Sequence, residues 1–563
     1  MPTTRAEMDK LGWKELDILL VTGDCYVDHP SYGVSLIGRM LLAQGYRTGI
    51  IAQPNWKDPG CMKEFGRPLL GAGVTSGNMD SMVNIYTAGR RLRREDAYSE
   101  DGQPGLRPPH ALVVYTQLVK QAFPGIKVMI GGLEASLRRI AHYDYWQDKL
   151  RPSMLVDSKA DILSFGQGEK SVTEIFRRLE AGEALGGIGG TAVLLGKNAA
   201  LEFTPGDKYQ ELPSWEQTLA DKDTVMTATK MIEAQMSGVS SVGFFQRYGE
   251  RILVVEPPPE PLTTEELDAV HNLPYSGSPH PKYKKRIPAF ETIKHSIPAI
   301  RGCPGGCAFC GLVSHQGRHV TSRSIDSIKF SAEQICERKD FHGTISDIGG
   351  AAGNIYMSRY LNPDQCKKCR RPSCLFPSIC PNYVCDGKEE ITMLRTIASL
   401  PKVKHLYINS GIRLDLTLHQ PELFRELVRN HVSGHMKLAP EHLDPKVLRL
   451  MRKSTAEEFF EVMRRFYEES SKCGKEQYVI PLFISNFPGC GEKEMKTVDD
   501  FLNKNNWSPQ QVQDYIPLPM TMGAAMYYTG KDSNGNTITV NRGLKERRGQ
   551  IQVLKKKRRG AKY

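Results

Sequence analysis

Long apolar runs are missing from this sequence: no stretch approaches the ~20 apolar residues that a bilayer-spanning helix needs. The opening segment, MPTTRAEMDK, also lacks the apolar core of a secretory signal. Aromatic residues are modest at 8%, beside 40% hydrophobic and 25% charged residues, the balance of an ordinary globular chain. These features exclude a helical membrane protein and predict a cytoplasmic location with no membrane contact. A strong charge bias is also missing over most of the chain. Net charge is +12, but residues 542–563 carry ten Lys/Arg and one Glu, which leaves +3 for everything else. The run Lys555-Lys556-Lys557-Arg558-Arg559 is expected to be a solvated, disordered extension. Weak electrostatic contact with nucleic acid is the alternative it offers.

Cysteine, by contrast, is plentiful at thirteen residues. In a cytoplasmic chain that number points to metal or redox chemistry before disulfides. Three of the thirteen fall in Arg301-Gly302-Cys303-Pro304-Gly305-Gly306-Cys307-Ala308-Phe309-Cys310, a C-x3-C-x2-C spacing in a Gly/Pro-rich loop. Iron–sulfur cubanes are held by thiolates, normally four. Three thiolates from one loop hold three corners and leave the last iron open to an outside ligand. An open position is what separates a catalytic metal site from a closed structural one. Zinc would usually be closed by four ligands in paired short spacings. Cys303, Cys307 and Cys310 are therefore the candidate cluster ligands.

A second group follows as Cys366-x2-Cys369-x4-Cys374-x5-Cys380-x4-Cys385. Thiolates suit an iron–sulfur cluster or a structural zinc, and the spacing leaves both open beside a redox-inert cysteine set. Cys25, Cys61, Cys336, Cys473 and Cys490 stand alone and read as structural.

At 563 residues the chain exceeds one core, and about three or four domains are expected. Residues 1–200 alternate short apolar runs with helical periodicity. Asp17–Val21 and Thr48–Ala52 read as strands around a helix carrying Val34, Ile37 and Leu41. Lys127–Ile130 and Asp161–Phe165 follow, the latter leading into a helix with Val172, Ile175, Phe176 and Leu179. This is the pattern of an open parallel sheet, which binds ligands past its strands' carboxyl ends. Residues 201–290 show no clean alternation and read as a connector. From 291 to 530 the βα rhythm returns, as in a full or partial barrel. The cysteine loop hangs from its first strand, the Cys-rich insertion spans 362–387, and 531–563 form the basic tail.

Long segments resemble the YgiQ-type radical S-adenosylmethionine (SAM) family. They include PTTRAEMDKLGWKELDILLVTGDCYVDHPSYGVSLIGR, GGLEASLRRIAHYDYW, RGCPGGCAFC, LAPEHLDPKVLRLM and QVQDYIPLPMTMGAAMYYTG, and the likeness runs from about Pro2 to Tyr528. The resemblance implies an α/β protein: a cobalamin-binding-like open parallel sheet followed by a radical SAM partial (β/α) barrel. It also implies a [4Fe-4S] cluster on Cys303, Cys307 and Cys310, with SAM on the open iron. Phe309 matches the aromatic near the SAM adenine. Gly349-Gly350 matches the end of the second barrel strand, although Ala351 stands where an acidic residue often follows. Ser410 and Arg413 fall where polar side chains meet the SAM ribose or carboxylate. Glu441-His442 either face the cavity or form a structural pair.

The implied activity is reductive cleavage of SAM to a 5′-deoxyadenosyl radical that takes hydrogen from an unidentified substrate. A low-potential donor such as flavodoxin or ferredoxin would supply the electron. One alternative is a cobalamin-assisted radical SAM methyltransferase. The axial pattern D-x-H-x-x-G is absent, however, because Asp28 and His29 are adjacent, so cobalamin is not expected. Another alternative is a cluster-bearing RNA- or ribosome-associated binding protein that uses the basic tail.

Overall fold

A computed structural model describes residues 1–233, 235–509 and 511–558. The chain forms two compact units: residues 1–261 with 268–294 and 314–316, and residues 262–267 with 295–313 and 317 onward.

The first unit is built on a nine-stranded sheet. Its strands Thr48–Ala52, Ile18–Thr22, Gly71–Thr75, Val128–Gly131 and Ile162–Ser164 pair in parallel, in that order. Parallel neighbours need long crossovers, and helices Gly33–Ala43 and Ala111–Ala122 lie within them, while helix Glu169–Ala181 follows the last parallel strand. Ile18, Leu20, Leu41, Ile50, Met129, Val172, Ile175 and Phe176 share one buried cluster, so both predicted helices turn their apolar stripes onto the sheet.

Residues 201–290 are not a bare connector. Tyr209–Glu211, Gly243–Tyr248 and Arg251–Val255 extend the sheet beyond the antiparallel strand Thr191–Leu195. The alternation was missing because Ile252–Val255 are buried without a break, so the strand reads as an apolar run.

In the second unit, parallel pairings follow one another around an open array. Ser296–Pro298 pairs with Asp347–Gly349, and Thr344–Ile345 with His405–Leu406. A single parallel bridge joins Ile412 to Leu438, and His435–Glu441, Tyr478–Ser485 and Val512–Asp514 complete the series. Helices Ile325–Cys336, Lys388–Ala398, Ala456–Lys472 and Glu492–Lys504 fall between the strands, giving a partial (β/α) barrel. Ser324 caps the first of them by accepting the Ser327 N–H at 3.1 Å. The Leu423, Leu427 and Val428 stripe begins as helix Pro421–Glu426 and loosens into a π-turn at Leu427–His431.

The basic tail departs from expectation. Leu544–Lys555 is a helix that buries Arg547, Gln550 and Leu554. Arg547 donates to the Tyr515 carbonyl at 2.6 Å, and Gln550 bridges the Asn486 N–H and the Cys490 carbonyl, both at 2.8 Å. Net charge alone concealed these hydrogen bonds. Arg558 pairs with Asp499 at 2.7 Å, and the rest of the basic run, Arg559 to Tyr563, lies outside the described residues. Among the described residues no helix is long and apolar enough to cross a membrane.

Candidate cluster and cofactor site

The C-x3-C-x2-C loop leaves the first barrel strand through Ile300–Arg301 and is pinned by backbone contacts on three sides. Cys303 N–H donates to the Gly317 carbonyl at 3.1 Å, and Ala308 N–H to the Met451 carbonyl at 3.0 Å. The Ala308 carbonyl in turn accepts the Gly523 N–H at 2.7 Å. Gly302 and Gly306 have φ of 86° and 62°, the left-handed region. A Cβ on Gly302 would overlap the His319 carbonyl, and one on Gly306 the Pro372 carbonyl. The loop therefore follows a path that only glycine permits.

Cys303, Cys307 and Cys310 are half-buried, free of disulfides and within electrostatic reach of one another. Burial pushes the Cys310 thiol up to about 12, and raises Cys303 against the opposing pull of Arg413. Buried thiols of this kind become thiolates when a metal supplies positive charge.

The Arg413 side chain reaches the cysteine loop. Its Nη1 donates to Cys307 Sγ at 3.3 Å, while Nε and Nη2 bind Asp415 at 3.2 and 2.5 Å. Its backbone N–H donates to Asn354 Oδ1 at 2.7 Å, and Asn354 Nδ2 donates to the Arg413 carbonyl, Thr417 Oγ1 and Gln420 Oε1. Asn354 is 1% exposed and organises this turn. It lies four residues past Gly350, and sequence reasoning passed over both it and Asp415. The available signal was polar residues interrupting otherwise apolar segments beside the named motifs.

Ser410 is committed to structure. Its hydroxyl donates to Asp347 Oδ2 at 2.6 Å, and its N–H to Asp347 Oδ1 at 3.1 Å. Gly349 lies against that side chain, where a Cβ would come within 2.8 Å of Ser410 Oγ. The Gly349 carbonyl already accepts the Ala299 N–H at 2.8 Å. At Gly350 a Cβ would sit 2.7 Å from the Ile300 carbonyl, so both glycines serve close strand packing. The Phe309 ring packs edge-to-face on Phe487 at 6.3 Å. Glu441 is buried 3.6 Å from Lys453, and His442 Nε2 lies 3.3 Å from Cys490 Sγ. Burial lowers His442 to about 4, so its ring is neutral at pH 7. The two residues have separate partners and do not form a His–Glu pair.

In the insertion, Cys366 lies within electrostatic reach of Cys369 and Cys380, and Cys374 within reach of all three. Cys385 faces elsewhere, with its Sγ 3.2 Å from Gln420 Nε2 and 3.6 Å from the Asn354 carbonyl. Among the described residues, no three His, Cys, Asp or Glu side chains gather around a single metal ion.

Comparison with known proteins agrees with this architecture. The Radical SAM N-terminal family matches residues 1–296, and the Radical SAM superfamily matches 297–502. Fold and cysteine loop together define a radical SAM protein. A UPF0313 protein of Geobacter sulfurreducens is 43% identical over 98% of this chain and 92% of its own length. One of Bradyrhizobium diazoefficiens is 42% identical over 97% and 85%. The chain belongs to this UPF0313 family, the YgiQ-type radical SAM proteins. Among solved structures, a radical SAM methyltransferase, TsrM, from Kitasatospora setae is similar in fold, with TM-score 0.50 and 13% identity over 91% of this chain and 76% of that one. It has also been solved with cobalamin and a [4Fe-4S] cluster bound.

Proposed function

We propose that the chain is a radical SAM enzyme whose [4Fe-4S] cluster is held by Cys303, Cys307 and Cys310. The observation that carries this reading is three half-buried free thiols at C-x3-C-x2-C spacing in a loop that two glycines and three backbone hydrogen bonds fix in place. When bound, the cluster supplies the electron that cleaves SAM into methionine and a 5′-deoxyadenosyl radical, which removes hydrogen from an unidentified substrate.

The protein's own contribution is to hold the cysteine loop in place. Arg413 sets a positive charge beside Cys307 Sγ, and Asp415 balances the guanidinium in a buried setting. Phe309, next to the last cysteine, is held by its edge-to-face contact with Phe487. Gly349 admits the Ser410 side chain and Gly350 the Ile300 carbonyl, so both let the segments beside the cysteine loop pack closely. A small low-potential flavin or iron–sulfur carrier, such as flavodoxin or ferredoxin, would donate the electron.

Cobalamin has no part in this proposal. The likeness to TsrM is one of fold. Asp28 is occupied by Arg39 and the Ser276 N–H, and His29 Nδ1 accepts the Ser31 N–H. The loops after the parallel strands carry buried charges paired within the chain, Arg107 with Asp24 at 2.6 Å and Arg138 with Asp80. An RNA- or ribosome-associated role draws no support from the tail, because its helical part is packed through Arg547 and Gln550.

The test is anaerobic reconstitution and reduction with SAM. 5′-Deoxyadenosine should form, and should disappear when Cys303, Cys307 or Cys310 becomes Ala. A fully loaded cluster that leaves SAM intact, with or without cell extract as a substrate source, would sink the reading.

A further inference from the structure

We infer that Cys366, Cys369, Cys374 and Cys380 hold a second, fully thiolate-ligated [4Fe-4S] cluster, and that Cys385 does not belong to it. The first reason is spatial selection. Backbone hydrogen bonds tie Cys369 N–H to the Cys366 carbonyl at 3.2 Å and Cys380 N–H to the Cys374 carbonyl at 2.7 Å, and Asn382, two residues past Cys380, reaches Cys366 Sγ at 3.3 Å, while Cys385 turns to Gln420 and Asn354. Sequence spacing treated all five alike.

The second reason is that the segment has little else to hold it. Residues 362–387 contain one five-residue helix, Pro363–Lys367, and one two-residue strand, Tyr383–Val384. Leu375 and Tyr383 are their only hydrophobic side chains in the buried core among the described residues. A segment without a core needs a staple, and bound metal is a common one. Arg371 already spans the loop, donating to the Ser373, Phe376 and Ser378 carbonyls, but a single side chain cannot fix the whole segment.

The third reason separates iron–sulfur from zinc. Structural zinc usually takes two close pairs a dozen or more residues apart, and draws every sulfur to about 2.3 Å of one point. Here one C-x2-C pair is followed by two single cysteines within eleven residues, as in the short thiolate runs of iron–sulfur proteins. The environment also suits sulfur ligands of net negative charge. Asn382 Nδ2 donates to Cys366 Sγ at 3.3 Å, and the Arg318 guanidinium acts on both Cys366 and Cys374. Hydrogen bonds to sulfur and nearby positive charge are what tune such clusters.

The insertion is seated directly on the first cysteine loop: Cys374 N–H donates to the Pro304 carbonyl at 2.9 Å, and Gly306 closes against Pro372. With four thiolate corners the second cluster has no open iron for SAM. It is a structural or electron-carrying group beside the first site, and it does not depend on the radical chemistry proposed above.

The full chain should be reconstituted anaerobically with iron and sulfide, then assayed for iron, sulfide and zinc and by Mössbauer spectroscopy. About eight irons per chain are expected, two cubanes' worth. The C303A/C307A/C310A variant, with the insertion intact, should keep about half of them with a [4Fe-4S] signature, so this outcome is independent of SAM cleavage. C366S, C369S, C374S and C380S should each lower the iron retained by that variant, and C385S should not. Loss of all iron from the triple variant, one zinc in place of the second cubane, or equal loss in C385S would each overturn the proposal. A triple variant with a wild-type far-UV circular dichroism spectrum shows that its iron content is that of folded chain, and single C303A serves in its place if it does not fold.

Discussion

Arg413 shows what one residue decides at this site. Its guanidinium joins Cys307 to Asp415 in a setting where both partners of the ion pair are about nine-tenths buried. Removing one member of a buried pair costs about 3–5 kcal/mol, because the other charge is stranded. Arg413→Met should therefore lower stability by that order in denaturant titration, and Arg413→Met/Asp415→Leu should recover much of it. Cluster occupancy or activity should still fall about 10- to 100-fold in the double variant, as for lost outer partners of metal ligands. Glu390 makes a second residue-scale case. Burial raises its carboxyl to about 8 against a lowering hydrogen bond from the Tyr356 N–H. It is thus protonated in the folded chain at pH 7 and ionised in the unfolded one. The stability it confers is full below the unfolded value near 4.5 and is lost as pH rises toward 8. Glu390→Gln should flatten that pH dependence and raise the melting temperature most at pH 8. An unchanged profile would show that Glu390 is solvated.

Elements owe their places to a few local devices. Ser324 caps the helix after the cysteine loop, and Ser324→Ala should cost about 1 kcal/mol in urea titration. Gly302 and Gly306 allow the cysteine loop its course, so Gly306→Ala should reduce cluster incorporation, measured as iron per chain, while leaving the far-UV spectrum unchanged. The helix Leu544–Lys555 makes a contrasting case. A solvated tail can be cut without consequence, whereas this helix closes over Tyr515 and Cys490 through Arg547 and Gln550. Deleting residues 544–563 should lower the melting temperature by several degrees, and an unchanged value would mean that the helix is not held in solution. Most elements were legible because burial imposes periodicity: the helices over Val34 to Leu41 and over Phe459 to Phe466 show one apolar face each. The Gly243–Val255 hairpin escaped notice because continuous burial removes the alternation that marks a strand.

For the whole molecule, two units of different architecture share one chain, the first built on a nine-stranded sheet and the second on several short sets of paired strands. Alternating strands and helices, thirteen cysteines and the C-x3-C-x2-C spacing follow from local order along the chain, and so the sequence alone determined the α/β class, the barrel and the candidate cluster ligands. Which polar groups meet is settled by residues tens to hundreds of positions apart. Cys307 meets Arg413, Asp347 claims Ser410, and Cys385 parts from its four neighbours only once the strands and loops have closed. Periodicity and spacing report the order of residues along the chain and which face is apolar. They carry no record of how buried donors and acceptors, once stripped of water, must find partners across the fold, and only the tertiary structure decided that.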